Sequence, residues 1–200
     1  MIEEARLSGL PWIERTPFYH EREHLTLHEE LIERVPGAIK VITVYMGLET
    51  SIVAWSGGRI IDADNYLTGD SPMGVISSGW LPNSGALSLY YEMGKPLGEI
   101  ERLIYGDGGL KAYYGTDDRE ALSKREEETP LEVFLYWLAK GIGGMSAILM
   151  GKPDGVILGG PWVNYGFVPK KLKDYLSFLL IRLYYIKCGK ITYGLFKRSK

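Results

Sequence analysis

The chain has 200 residues, 46% of them hydrophobic and 24% charged, which is enough for one substantial core and ordinary for a globular domain. A formal charge of −2 gives no electrostatic case for a nucleic-acid partner or an anionic membrane surface. The single cysteine, Cys188, excludes an internal disulfide and suits a reducing compartment. The amino terminus lacks a signal-peptide pattern, and the most apolar window, Tyr175–Ile186, is short and carries Arg182. The expectation is a cytoplasmic α/β protein with no membrane segment.

Residues 1–37 read as an amino-terminal helical segment, with its main helix over Glu21–Arg34 closed by Pro36-Gly37. Three strands follow, Ala38–Met46, Ser51–Trp55 and Arg59–Ala63, and their short connections predict an antiparallel meander. Residues 65–85 are loop-rich. Helices are expected over Ala86–Met93 and from Pro96 to Tyr105, then a glycine-dense loop over Gly106–Gly115. An exposed helix over Asp117–Glu128 precedes a long apolar one to Met150, with Thr129 as cap and Pro130 in first position. Gly141, Gly143 and Gly144 inside that helix suggest close packing against a neighbour. A buried strand, Asp154–Leu158, ends in Gly159-Gly160; a helix over Pro169–Tyr175 and a last strand, Arg182–Lys187, complete the order. Residues 38–200 therefore read as one mixed α/β lobe.

Four features carry chemistry. The step from strand to Gly159-Gly160 lets a ligand approach the backbone, although many α/β domains turn this way without one. The run Gly106–Arg119 (GDGGLKAYYGTDDR) brings Gly106, Gly108 and Gly109 to within a few residues of Thr116, Asp117 and Arg119. An arginine can stack on a base and an aspartate can accept from ribose hydroxyls; the same residues also suit a helix start with Asp117 near its cap. Spacing does not choose between these. The turn Gly47-Leu48-Glu49-Thr50 sets a carboxylate and a leucine where a phosphate-wrapping turn would want glycines. His20 and His24 share a helix face with His28, but no further ligand accompanies them, so no metal site is assigned and a solvated helix start is the plain reading.

In order and spacing these blocks resemble the carboxy-terminal half of butyrate kinases. The stretch Gly58–Pro82 (GRIIDADNYLTGDSPMGVISSGWLP) carries Asp-x-x-Asn, Gly-Asp-x-Pro and Ser-Gly-x-Leu-Pro features, and Gly106–Arg119 and Gly159-Gly160 follow at the expected distances. The resemblance implies a single actin-like, ribonuclease H-like lobe of the acetate and sugar kinase, heat-shock and actin superfamily. Its members bind ATP/ADP with Mg²⁺ between two lobes and phosphorylate a carboxylate. It implies nucleotide contacts at Gly47, Gly106, Gly108, Gly109, Thr116, Asp117, Arg119, Gly159 and Gly160. His20 and His24 roughly match a Phe-His-x-x-x-His segment, with Tyr19 intruding after Phe18, and are the catalytic candidates. The departures are as informative. Ser77 stands where the family places an arginine that acts on the phosphoryl group. Leu48 and Glu49 replace glycines, Tyr45 replaces a histidine, and Gly189-Lys190-Ile191-Thr192 replaces a Gly-Ser-Asn-Glu segment that helps hold the metal. The first lobe would precede Met1. The expectations are a butyrate kinase-like pseudoenzyme, weak or inactive as an isolated half, or a non-catalytic nucleotide-binding or regulatory subunit. Such a subunit would pair with a separately encoded first lobe or form a homodimer.

Overall fold

The structure is a computed structural model, and it describes residues 1–187 and 190–194. Cys188, Gly189 and the basic tail at 197–200 lie outside the described residues. Among those residues the strands are β1 (Lys40–Met46), β2 (Thr50–Ser56), β3 (Arg59–Ala63), β4 (Gly155–Gly159), β5 (Leu183–Lys187) and β6 (Lys190–Gly194). They form one sheet in the order β3-β2-β1-β4-β5-β6. The meander expected from the short connections is present, with β1–β2 and β2–β3 antiparallel. Strands β1, β4 and β5 are parallel, and β6, which the sequence reading did not include, returns antiparallel beside β5.

Among the described residues eight α-helices accompany the sheet: α1 (Glu3–Arg6), α2 (Glu21–Arg34), α3 (Asn83–Tyr91), α4 (Leu97–Ile104), α5 (Gly109–Tyr114), α6 (Arg119–Ser123), α7 (Thr129–Ile148) and α8 (Phe167–Tyr175). Side chains alternate along each central strand, so the sheet separates two cores. On one face Ile42, Val44, Ile52, Val156 and Leu158 pack with Phe134, Leu135 and Leu138 of α7 and Leu172 of α8. On the other, Val41, Val53, Trp55 and Ile157 pack with Leu27 and Leu31 of α2. Strand β1 is thus buried on both faces, which explains its near-continuous run of β-branched residues.

Several expectations need correction. Gly106–Gly115 is not all loop, because Gly109–Tyr114 forms α5, anchored by the fully buried Leu110. The helix expected over Asp117–Glu128 is confined to Arg119–Ser123, where the buried Leu122 supplies the one core contact that holds it. Glu128, not Thr129, occupies the cap position of α7, with no side-chain capping bond. Of the three glycines in α7, only Gly141 meets a neighbour: a Cβ there would lie 2.6 Å from Ile52 Cδ1, while Gly143 and Gly144 face open space.

Gly160, which follows β4, has φ +89°, and a Cβ on it would lie 2.4 Å from the carbonyl oxygen of Met46 at the end of β1. The strand ends of β1 and β4 therefore meet through a residue that cannot carry a side chain. Gly160→Ala is expected to destabilise the fold by at least about 1–3 kcal/mol from backbone strain alone, read as a lower urea midpoint at unchanged m-value.

Candidate functional site

The ends of β1 and β4 and the turn from β1 into β2 form one rim of the sheet, and most of the sequence-assigned residues lie around it. The turn is closed by Gly47 N–H donating to the Glu49 carbonyl at 2.9 Å. Its other carbonyls are also engaged. Trp162 Nε1 donates to Gly47 O at 3.2 Å, and Val75 and Ile76 N–H donate to Leu48 O at 2.7 and 3.2 Å. The segment 74–78 is therefore strapped across the turn. Ser77, in the position of the expected arginine, is fully buried in that strap, and its Oγ has no hydrogen-bond partner.

The glycine run lies directly behind the strap. Gly106 and Gly108 N–H both donate to Ile76 O, at 2.8 and 3.2 Å, and Leu110 and Lys111 N–H donate to Gly74 O and Val75 O. Gly109 has φ +63°, and a Cβ there would lie 2.2 Å from the Gly74 carbonyl oxygen. Glycine is needed here for backbone-to-backbone packing within the chain. Thr116, Asp117 and Asp118 form the entry to α6: Thr116 Oγ1 accepts from Asp118 N–H at 3.1 Å, and the Asp118 carboxylate caps the helix by accepting from Glu120 N–H at 2.9 Å. The cap is therefore Asp118, one residue beyond Asp117, which stays exposed. Arg119 is half-buried, and its charge is felt at Tyr45. Burial raises the Tyr45 phenol's pKa, Glu23 and Glu49 add to the rise, and the Arg119 charge opposes it. Gly159 pairs with Tyr45 across the sheet and packs under Leu27, where a Cβ would come within 2.6 Å.

The histidines depart most from expectation. His24 is not solvated: it is fully buried beneath α2, with Nδ1 2.6 Å from Thr43 Oγ1 and Nε2 2.8 Å from Ser51 Oγ. Burial, with a smaller contribution from His20, lowers its pKa from 6.5 to about 3. His20 is mostly buried too. Its Nδ1 lies 3.0 Å from the same Ser51 Oγ, its Nε2 faces the Glu49 carboxylate at 3.5 Å, and its ring sits between Tyr45 and Tyr66. Tyr105 O–H donates to Glu49 at 3.0 Å. Hydrogen bonds from His20 and Tyr105 hold the Glu49 pKa below the usual carboxylate range despite burial. His28 packs against Trp55, the rings tilted by 33° with centroids 4.4 Å apart. Thr43, Ser51, Tyr66 and Tyr105 escaped sequence reasoning. The available signal was a serine and a threonine at inward positions of otherwise apolar strands.

A cavity of about 430 Å³ lies apart from these residues, between β3 and α7. Arg15 binds Asp70 at 2.8 Å and Asp62 at 3.4 Å on its wall, and the buried Asp64 accepts from Ile52 N–H at 3.0 Å. Desolvation pushes the Asp64 pKa well up, with Asp70 adding to the rise. None of the nucleotide-contact residues or histidines assigned from the sequence lines this cavity, but Asp62, Asp70 and Trp80 of the Gly58–Pro82 features do.

As for a metal, among the described residues no group of three or more His, Cys, Asp or Glu side chains is placed to hold one. Glu49, the carboxylate at the turn, is already engaged by His20 and Tyr105. Among the described residues, those at the turn do not fit Mg²⁺ by themselves. No helix among the described residues is long and apolar enough to cross a membrane.

The architecture is that of one actin-like lobe of an acetate kinase-type protein. The acetate kinase of Porphyromonas gingivalis superimposes with a TM-score of 0.77 at 20% identity, over 90% of this chain and 49% of that one. A propionate kinase from Francisella tularensis gives 0.79 at 22% identity, over 90% of this chain and 50% of that one. In sequence, a probable butyrate kinase of Thermotoga petrophila is 30% identical over 185 residues, covering 88% of this chain and 52% of the relative. One from Bacteroides thetaiotaomicron is 30% identical over 192 residues with the same coverage. No family model matches the chain. The chain is thus similar in sequence to probable butyrate kinases and shares its fold with acetate and propionate kinase lobes, and it spans about half the length of the curated relatives it matches.

The two buried titratable groups give opposite pH dependences. Because His24 is harder to protonate in the fold than in the unfolded chain, its contribution to stability is complete above pH ~6.5. It is lost as pH falls from there toward 3, at a slope approaching ~1.4 kcal/mol per pH unit. Asp64 holds its proton more tightly in the fold, so its contribution is present at low pH and lost as pH rises through the elevated value. Urea midpoints measured from pH 4 to 8 should lose the acid-side decline in His24→Asn. In Asp64→Asn they should lose the opposing decline with rising pH.

Proposed function

We propose that this chain is a butyrate kinase-like, carboxylate kinase-related lobe that receives ATP or ADP at the rim of its sheet and has little or no phosphoryl-transfer activity by itself. In this reading residues 38–200 are the second lobe, with residues 1–37 packed onto it. The observation that carries it is the convergence on one rim of the Gly47 turn, the Gly159-Gly160 step and Arg119, in a chain related to kinases over 88% of its length. Arg119 would stack on the base and Asp117 would accept from ribose, as their family counterparts are expected to do.

Weak chemistry follows from what the rim lacks. Phosphoryl transfer depends on positive charge placed against the developing anionic transition state, and a missing arginine of that kind costs about 10³-fold or more. At position 77 the chain offers a buried, uncharged hydroxyl, and at position 49 a carboxylate that repels phosphate.

One observation favours the second reading, a regulatory or interaction subunit. Helices α3 and α4 with their connection expose Leu87, Tyr90, Tyr91, Met93 and Leu97, and α3 buries none of its residues. An apolar face of this kind suits pairing with another lobe or with a second copy.

Calorimetry with ATP·Mg²⁺ separates the readings. The kinase-derived reading expects saturable binding that Arg119→Ala weakens about 3- to 30-fold, the range of a stacked cation, with butyryl phosphate at or near background. Absence of binding together with a discrete dimer in light scattering supports the interaction subunit. Robust butyryl phosphate formation by the purified chain contradicts the weak-activity claim.

A further inference from the structure

We propose that the Glu49 carboxylate is an internal stand-in for a small oxyanion, seated on two donors, His20 and Tyr105, with the proton position on His20 set from the interior by His24. The geometry fixes this order. Trp55 Nε1 can only donate, and it does so to Thr43 Oγ1 at 2.9 Å. The Thr43 hydrogen has two acceptors: His24 Nδ1 at 2.6 Å, or Val53 O at the limiting distance of 3.5 Å. Donation to His24 is the stronger bond, and it leaves that neutral imidazole with its hydrogen on Nε2, directed at Ser51 Oγ 2.8 Å away. Ser51 has then accepted once and passes its own hydrogen to His20 Nδ1 at 3.0 Å. Neutral His20 must carry its hydrogen on Nε2, the atom that faces Glu49. The opposite tautomer would set a ring lone pair against a carboxylate.

The seat that results has the character of an anion site. Two donors from separate elements, His20 at the start of α2 with its ring set against Tyr45 and Tyr66, and Tyr105 after α4, converge on one carboxylate. The His20 and Glu49 side chains are only 16% and 14% exposed, so the pair is largely shielded from water. The carboxylate comes from the turn itself, at a position where the resemblance expects glycine. As long as Glu49 is seated, a phosphate or carboxylate from outside meets a negative charge in place of two donors. The site is blocked from within. His24 and Ser51 touch no ligand and act as positioning residues through His20. The proposal concerns the resting chain without nucleotide and stands independently of the kinase-derived reading.

Imidazole nitrogen NMR of the intact chain tests it at pH 8.5, with inorganic phosphate and butyrate as separate titrants. The wild type should show His20 and His24 both as Nε2–H tautomers, with no saturable shift of His20 from either anion. Ser51→Ala should leave His20 as a tautomer mixture. Glu49→Ala should open the seat, with saturable His20 shifts and an affinity at least about tenfold above the wild type. Whichever anion binds more tightly identifies the ligand as phosphate or carboxylate. If Glu49→Ala fails to fold, Glu49→Gln keeps the shape without the charge and should show the same direction of change. An Nδ1–H tautomer on wild-type His20, or equal anion binding by the wild type and the Glu49 variants, would overturn the proposal.

Discussion

Everything at the rim depends on β1 being buried on both faces. A strand in that position can keep a polar side chain only if each hydrogen-bonding atom is matched inside the protein, because an unmatched one costs about 1–3 kcal/mol. Thr43 is that side chain, and Trp55 and His24 provide the match. Satisfying His24 in turn requires Ser51, and Ser51 reaches His20. A requirement that begins as core packing is thus passed outward, group by group, until it determines what the protein presents at the turn.

The same economy governs the glycines. Gly109 and Gly160 lie where backbone meets backbone within the chain, so their presence is explained before any ligand is considered. That does not conflict with the likeness to kinases, because a turn that sets the chain's own packing can also admit a ligand. Architecture carries the likeness, whereas chemistry would have to be carried by side chains, and positions 48, 49 and 77 hold Leu, Glu and Ser.

Much of the fold was legible in the sequence. Strand and helix periods placed β1 to β4, α2 and α7 within a few residues, since each has a long apolar pattern that admits one reading. The region from Gly106 to Glu128 was misread for a physical reason: α5 and α6 are about one turn each, and each is held by a single buried leucine, Leu110 or Leu122, which leaves no period to detect. The histidines were misread for a different reason. Their charged neighbours Glu21, Arg22 and Glu23 suggested solvent, but only Glu21 and Arg22 are exposed, while His24 faces the sheet beside Leu27 and Leu31. Helical phase, which was available from those leucines, was the signal that counted. The partnership of Glu49 with Tyr105 spans 56 residues and had no local signature.

The strap across the turn has a mechanical consequence. The turn after β1, the segment 74–78 and the run from Gly106 to Lys111 are laced in series by main-chain bonds, Leu48 O to Val75 and Ile76, then Ile76 O to Gly106 and Gly108. Three stretches far apart in the sequence therefore form a single stiff body at the mouth of the lobe. Helix α4 ends just before the last of them and α5 begins within it, so moving either helix would strain main-chain bonds that lead back to the turn.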